Sequence, residues 1–182
     1  MSDFWVFAYG SLMWRPGFPF VEAATAHLAG MHRALCVFSW VHRGTRERPG
    51  LVLGLDRGGS CKGIAYRVSG AEREKVIAYL RERELVTRVY LEAWRPIRLA
   101  RPGGRTGAAL TYIVDRHHEQ YAGKLGREAL LAHVRGREGQ SGANSEYVIN
   151  TVRHLRDLDL HDAVLEWLSD QLGAEAAPRL RA

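Results

Sequence analysis

The run Phe4-Trp5-Val6-Phe7-Ala8-Tyr9, cut off by Gly10-Ser11-Leu12, constrains this chain more than any other segment. Aromatic, β-branched and small apolar residues in a short unbroken run suit a strand buried on both faces. The glycine that ends it permits a bend and a close ligand approach that a Cβ would obstruct. Successive backbone amides at such a bend can cradle a carboxylate or a phosphate. Taken alone, the same residues also describe a strand followed by an ordinary turn.

Beyond this loop the first two thirds of the chain read mainly as strand. Short β-rich runs recur at Ala34-Trp40, Leu51-Leu55, Cys61-Val68, Arg88-Leu99 and Ala108-Val114,. Gly58-Gly59-Ser60 and Pro102-Gly103-Gly104 read as hairpin-like breaks, consistent with consecutive strands that are antiparallel neighbours,. One helix interrupts the series between Ser69 and about Leu85, and at least two more are expected near Ser145-Leu155 and His161-Leu172,. Strands early and helices late give an α+β chain rather than a doubly wound sheet. With 182 residues and no Pro/Ser-rich linker, one domain spanning 1–182 is expected, with a small-residue tail after Gly173 that frays,.

Charge and cysteine usage narrow the function classes. The formal charge is +6, yet the cations are scattered among acidic neighbours, as in Arg73-Glu74, Arg81-Glu82-Arg83-Glu84 and Arg127-Glu128,. No basic stripe with interleaved aromatics forms, which argues against nucleic acid as the partner. No apolar stretch approaches the roughly 20 residues of a membrane span, and no signal-type segment opens the chain, so a soluble cytoplasmic protein is expected. Cys36 and Cys61 are two thiols without disulfide or metal-knuckle spacing,. His117-His118 reads as a surface turn rather than a metal site. No metal and no cofactor is expected, and the oligomeric state is open.

The Ser69 helix carries the sharpest chemical signal. Ser69 and Glu72 have capping-box spacing, which places the helix start,. Advancing about 100° per residue from Val76 puts Ile77 at about 100°, Leu80 at about 40° and Glu84 at about 80°. Glu84 therefore falls within the apolar stripe, whereas Glu82 at about 240° and Glu74 at about 160° face water. A carboxyl on a core-facing stripe acquires a raised pKa unless a cation compensates, as suits a general acid or base near neutrality. The alternative is a helix that ends a turn earlier, leaving Glu84 to solvent or to Arg88.

Tyr9-Gly10-Ser11-Leu12 followed by Met13-Trp14 resembles the Tyr-Gly-Ser-Leu-x-Trp signature of the ChaC-type γ-glutamylcyclotransferases. Tyr79-Leu80-Arg81-Glu82-Arg83-Glu84 is similar to the helix end bearing that family's catalytic Glu. Gly139-Gln140-Ser141-Gly142-Ala143-Asn144-Ser145-Glu146-Tyr147 resembles its Gly-x-Ser-Gly-x-Asn-x-Glu-Tyr segment. The three matches occur in the family's order and reach from Phe4 to about Trp167.

The resemblance implies a γ-glutamylcyclotransferase-like α+β fold, a mixed sheet curled into a small barrel with surrounding helices. It implies cleavage of glutathione to 5-oxoproline and Cys-Gly, with Glu84 as acid/base. Gly10, Ser11 and Leu12 would hold the substrate's α-carboxylate, Tyr9 would pack beside it, and Tyr147 and Arg33 would be further substrate-binding residues. From the residues alone, Tyr147 is also a candidate core side chain, and Ser141, Asn144 and Ser145 are competent helix caps. Arg33 and His42-Arg43-Gly44 are equally compatible with ordinary surface or turn positions. The chain departs from the family pattern at Ala34-Leu35-Cys36-Val37 and at Arg88, where a glycine is usual. Two rival readings stay open: the same chemistry on another γ-glutamyl amine or dipeptide, and a non-catalytic γ-glutamyl-binding module.

Overall fold

The computed structural model describes residues 2–101, 104 and 106–176. The chain divides into two compact units, Met1–Ala34 with Leu53–Tyr121, and Leu35–Val52 with Ala122–Ala182. The expected break at Pro102-Gly103-Gly104 falls largely outside the described residues, as does the end of the tail.

Five strands close a barrel in the order β1-β3-β2-β4-β5, with β1 at Phe4–Ala8, β2 at Glu22–Ser39, β3 at Gly50–Val68, β4 at Tyr90–Leu99 and β5 at Thr106–Val114. β1 runs antiparallel to β3 and parallel to β5, so the sheet is mixed. The opening run forms β1 as the sequence predicts, with Val6 and Ala8 fully buried and Phe7 nearly so.

The expected turn at Gly58-Gly59-Ser60 is not a hairpin: β3 is a single strand of 19 residues that passes through it. Gly58 and Gly59 adopt φ of 102° and 68°, a local irregularity that only glycine takes without strain,. Such an interruption bends a long strand without ending it, as a small closed barrel requires. β2 is likewise one strand of 18 residues, and its first two thirds, Glu22–Arg33, lie beyond the strand read at Ala34-Trp40. That stretch is rich in Ala and poor in the β-branched residues that signal a strand.

The helix from Ser69 is built in two stages. Ser69 Oγ accepts the Ala71 amide at 3.3 Å, opening a 3-10 turn over Gly70–Glu72, and the α-helix α1 runs Arg73–Glu84. The capping box is thus replaced by a tighter turn, and helix length is preserved to Glu84. Beyond it, Arg88 sits at φ 58°, in the left-handed region where the family pattern has a glycine. A side chain there costs about 1–2 kcal/mol.

The second unit holds α2 at Arg127–Val134, the short strands β6 at Glu138–Gly139 and β7 at Gly142–Ala143, α3 at Asn144–Asp157 and α4 at Ala163–Ala176. Asn144 is not a helix cap. It is fully buried, and its amide accepts from Leu51 N and donates to Leu51 O, both at 2.7 Å, so the side chain acts as a strand partner for the start of β3. Gly139 packs where a Cβ would lie 2.6 Å from the His42 and Val41 main chain. Amides of Gln140 and Ser141 then donate to Val41 O and His42 O. The glycine-serine segment is therefore an inter-segment clasp within this unit. Among the described residues no helix is long and apolar enough to cross a membrane.

Candidate active site

β1 delivers the chain directly into the loop. After Ala8, Tyr9 and Leu12 are buried, and Ser11–Met13 form one 3-10 turn closed by Met13 N donating to Gly10 O at 2.9 Å. The leading amides of such a turn have no partner within it, which leaves donors for an external anion. A Cβ at Gly10 would meet only the Leu53 side chain, at 3.7 Å, so packing does not demand glycine there.

The loop is held from beneath and behind. Tyr66, nearly buried, donates its hydroxyl to Met13 O at 2.5 Å, and its ring stacks edge-on with Phe18, 5.8 Å away. Arg33 donates from Nε to Tyr9 O at 2.5 Å and from Nη2 to Lys62 O at 2.8 Å. The structure thus places Arg33 at the loop, where these bonds brace the backbone and leave its positive charge beside the amides.

Glu84 is the last residue of α1, and its side chain is only 17% exposed. Burial raises its pKa above the ordinary carboxylate value, and the Arg83 guanidinium, Nε 3.3 Å from Oε1, opposes that rise. The helix neither stops early nor turns Glu84 toward Arg88, and Glu74 and Glu82 are exposed as the periodicity predicts.

Arg83 links this carboxylate to the loop. Its Nη2 donates to Ser11 Oγ at 3.0 Å, and its Nη1 donates to Arg15 O at 2.7 Å and to the Tyr79 hydroxyl at 3.0 Å. One side chain therefore pairs with Glu84 and ties down the 3-10 turn. Sequence reasoning counted Arg83 only as one member of an alternating charge run, because nothing in a charge pattern distinguishes a solvated cation from a bracing one. Two guanidiniums now flank the loop, an environment suited to a carboxylate.

Tyr147 belongs to the second unit. It is half-buried rather than fully buried, and the Arg43 guanidinium lies 5.3 Å from its ring centre. Arg43 also donates to Ser141 O at 2.5 Å, and His42 Nδ1 lies 3.0 Å from Ser141 Oγ. Among the described residues no group of His, Cys, Asp and Glu could hold a metal ion.

A family model for ChaC-like proteins matches residues 4–175. The chain belongs to the ChaC-like family. It is 35% identical over 158 residues to the glutathione-specific γ-glutamylcyclotransferase of Escherichia coli K12, spanning 87% of this chain and 68% of that protein. It is 31% identical to the human glutathione-specific γ-glutamylcyclotransferase 1, over 80% of this chain and 66% of the human one. Gamma-glutamylcyclotransferase 2-3 of Arabidopsis thaliana is 28% identical, over 92% and 87% of the two chains. Among solved structures, a yeast γ-glutamylcyclotransferase specific to glutathione shares the fold, with a TM-score of 0.84 at 20% identity, covering 96% of this chain and 97% of the yeast one. For a ChaC-like chain, the mixed closed barrel is the α+β architecture expected from the sequence.

Proposed function

We propose that this chain is a γ-glutamylcyclotransferase that cleaves glutathione to 5-oxoproline and Cys-Gly, with Glu84 carrying the proton. One observation bears most of the weight: a carboxylate largely withdrawn from water, with its pKa raised by burial, tied through Arg83 to Ser11 in the turn that follows β1. The names of the bacterial and human relatives, both glutathione-specific γ-glutamylcyclotransferases, support the choice of substrate.

The chemistry needs a curled substrate and a proton carrier. The α-amine of the γ-glutamyl arm attacks its own γ-carbonyl carbon, a five-membered lactam closes, and the cysteinyl amine leaves. Amides of Gly10, Ser11 and Leu12 grip the α-carboxylate, with the charges of Arg33 and Arg83 behind them and Tyr9 packed alongside. Holding the two reacting groups of one molecule in contact replaces a search through open conformations with a high effective molarity. Glu84 as carboxylate takes the proton released by the attacking amine. As carboxylic acid it returns that proton to the departing nitrogen, so one group serves both steps. The reaction balances without a redox or metal partner. A reducing compartment such as the cytoplasm suits the buried thiols Cys36 and Cys61, which form no disulfide, and a thiol substrate,.

The test is direct. Purified protein is incubated with glutathione, γ-glutamyl dipeptides and γ-glutamylamines, and 5-oxoproline is measured. Glutathione turnover is expected, falling by about 10²–10⁴ in Glu84→Gln. Turnover confined to another γ-glutamyl compound would reject glutathione as substrate. Binding without release of 5-oxoproline would leave a binding module instead of an enzyme.

A further inference from the structure

Tyr112 is a polar side chain with no part in the proton transfer at Glu84 or in the grip of the Gly10 loop. It lies on β5, is 2% exposed, and is among the largest fully enclosed side chains of the first unit. Its hydroxyl is sealed from bulk water, and the Glu92 carboxylate is its polar neighbour, interacting with it without completing a hydrogen bond of acceptable geometry. A buried hydroxyl without a well-formed bond forgoes much of its hydration, which is costly enough to be uncommon in folded proteins. Phenylalanine would fill the same volume without that cost, so the hydroxyl requires its own explanation.

Strand register locates this phenol. Leu110 on β5 pairs with Val6 on β1, and Thr111 Oγ1 donates to Phe7 O at 3.0 Å, so Tyr112 stands level with the end of β1 where the Gly10 loop begins. On its other side, Tyr112 is directly across from Glu92 of β4. Both Glu92 oxygens accept from Arg81 of α1, at 2.7 and 2.9 Å, and Arg81 is one turn before Glu84 on the same helix. The loop entrance and the end of α1 therefore converge on the Tyr112 position from opposite sides. The charged groups around it are Glu84, Glu92 and Arg81. Burial first, then the negative charges of Glu92 and Glu84, hold the phenol well above its ordinary pKa, so it stays a neutral donor across the working pH range.

We infer that Tyr112 is a second catalytic residue, whose hydroxyl donates to the γ-carbonyl oxygen of the substrate as that oxygen becomes an oxyanion. The inference rests on the reading of Glu84 as acid/base. When the amine nitrogen bonds to the γ-carbon, the carbonyl π pair moves onto oxygen, where the Tyr112 O–H stabilises it. Glu84 meanwhile accepts the amine proton. The pair then returns to re-form the carbonyl, the bond to the cysteinyl nitrogen breaks, and Glu84 protonates the leaving amine. The phenol keeps its own proton throughout. Its lack of a well-formed bond in the free protein is then an advantage, because none has to be broken before it meets the developing charge.

Tyr112→Phe removes the hydroxyl alone. Loss of one oxyanion donor is expected to lower kcat by about 10²–10³-fold, with a much smaller change in KM. The melting temperature is expected to stay level or rise, since no well-formed hydrogen bond is lost. The acidic limb of the kcat/KM profile, set by Glu84, is expected to stay in place. Wild-type kcat in the variant would overturn the inference. So would a fall in melting temperature without a fall in kcat, which would make the phenol a structural partner of Glu92. A displaced acidic limb with kcat recovered at its new optimum would also overturn it, by showing that the phenol acts on Glu84 rather than on the carbonyl. Failure of the wild-type protein to release 5-oxoproline from any γ-glutamyl compound would remove the cyclotransferase reading and this inference together, whereas an active wild type beside an equally active variant removes the inference alone.

Discussion

The first unit withdraws two carboxylates from water, Asp56 fully and Glu84 largely, and treats them in opposite ways. Asp56 is 4% exposed and fully served: Oδ1 accepts from Arg116 Nε at 2.7 Å and from the Arg57 amide at 2.7 Å, while Oδ2 accepts from the Tyr121 hydroxyl at 2.8 Å. Burial pushes its pKa up, but the bonds from Arg116, Tyr121 and the Arg57 amide outweigh that, and the net shift is downward. Among the described residues, Glu84 has an ion-pair contact only from the adjacent Arg83, and burial wins, so its pKa rises. A buried carboxylate well supplied with donors is locked into its charged form. One that is under-served can exchange a proton, and that separates a structural acid from a chemical one.

The comparison breaks most visibly at Asp56. Asp56→Ala removes three hydrogen bonds to a buried carboxylate and should cost about 1–3 kcal/mol of folding stability, read from urea unfolding,. Activity per folded molecule should be nearly unchanged. Glu84→Gln should give the opposite profile, losing most activity and little or no stability at neutral pH. Similar stability losses in the two variants would erase the distinction.

A smaller effect tests what sets the Glu84 proton affinity. Arg83→Gln removes the cation that opposes the burial shift and loosens the tie to Ser11. The acidic limb of the pH–rate profile should then move to higher pH, with a drop of about tenfold in kcat/KM. A limb that moves to lower pH would contradict the assignment of Arg83 as the counter-charge.

The smallest effect is the pH dependence of stability, where the two acids have opposite signs. Glu84 has a folded pKa above its unfolded value of 4.5, so its contribution is fully present below that value and is lost as pH rises through the folded pKa,. Wild type should therefore lose ground to Glu84→Gln as pH increases. Asp56 has a folded pKa below its unfolded value of 3.8, so its contribution is present above that value and is lost as pH falls through the folded pKa,. The gap between wild type and Asp56→Ala should narrow in acid. Melting temperatures measured from about pH 3 to about pH 8 would show both trends.

Helix periodicity identified Glu84 because a 3.6-residue repeat constrains direction even when the neighbours are unknown, and the structure buries Glu84 while exposing Glu74 and Glu82. The opening strand was legible for the same kind of local reason. Other motif residues carried no such signal about their role. Asn144 looks like a helix cap in one dimension and is a strand partner in three, since its contact with Leu51 spans 93 residues. Gly58-Gly59 looks like a hairpin until a closed barrel requires one strand to bend and continue.

By itself, the amino-acid order determined the class of fold, the strand that feeds the loop, the loop itself and the inward acid, because each depends on contacts within a few residues. Only the tertiary structure decided that Arg83 joins that acid to the loop, that Asp56 is saturated with donors, and that the Tyr112 hydroxyl is enclosed without a well-formed bond. Those facts depend on which distant segments meet, and on how many donors each buried oxygen finds there. Side-chain chemistry is written in the sequence, but whether a buried group is satisfied is settled only by its neighbours in space.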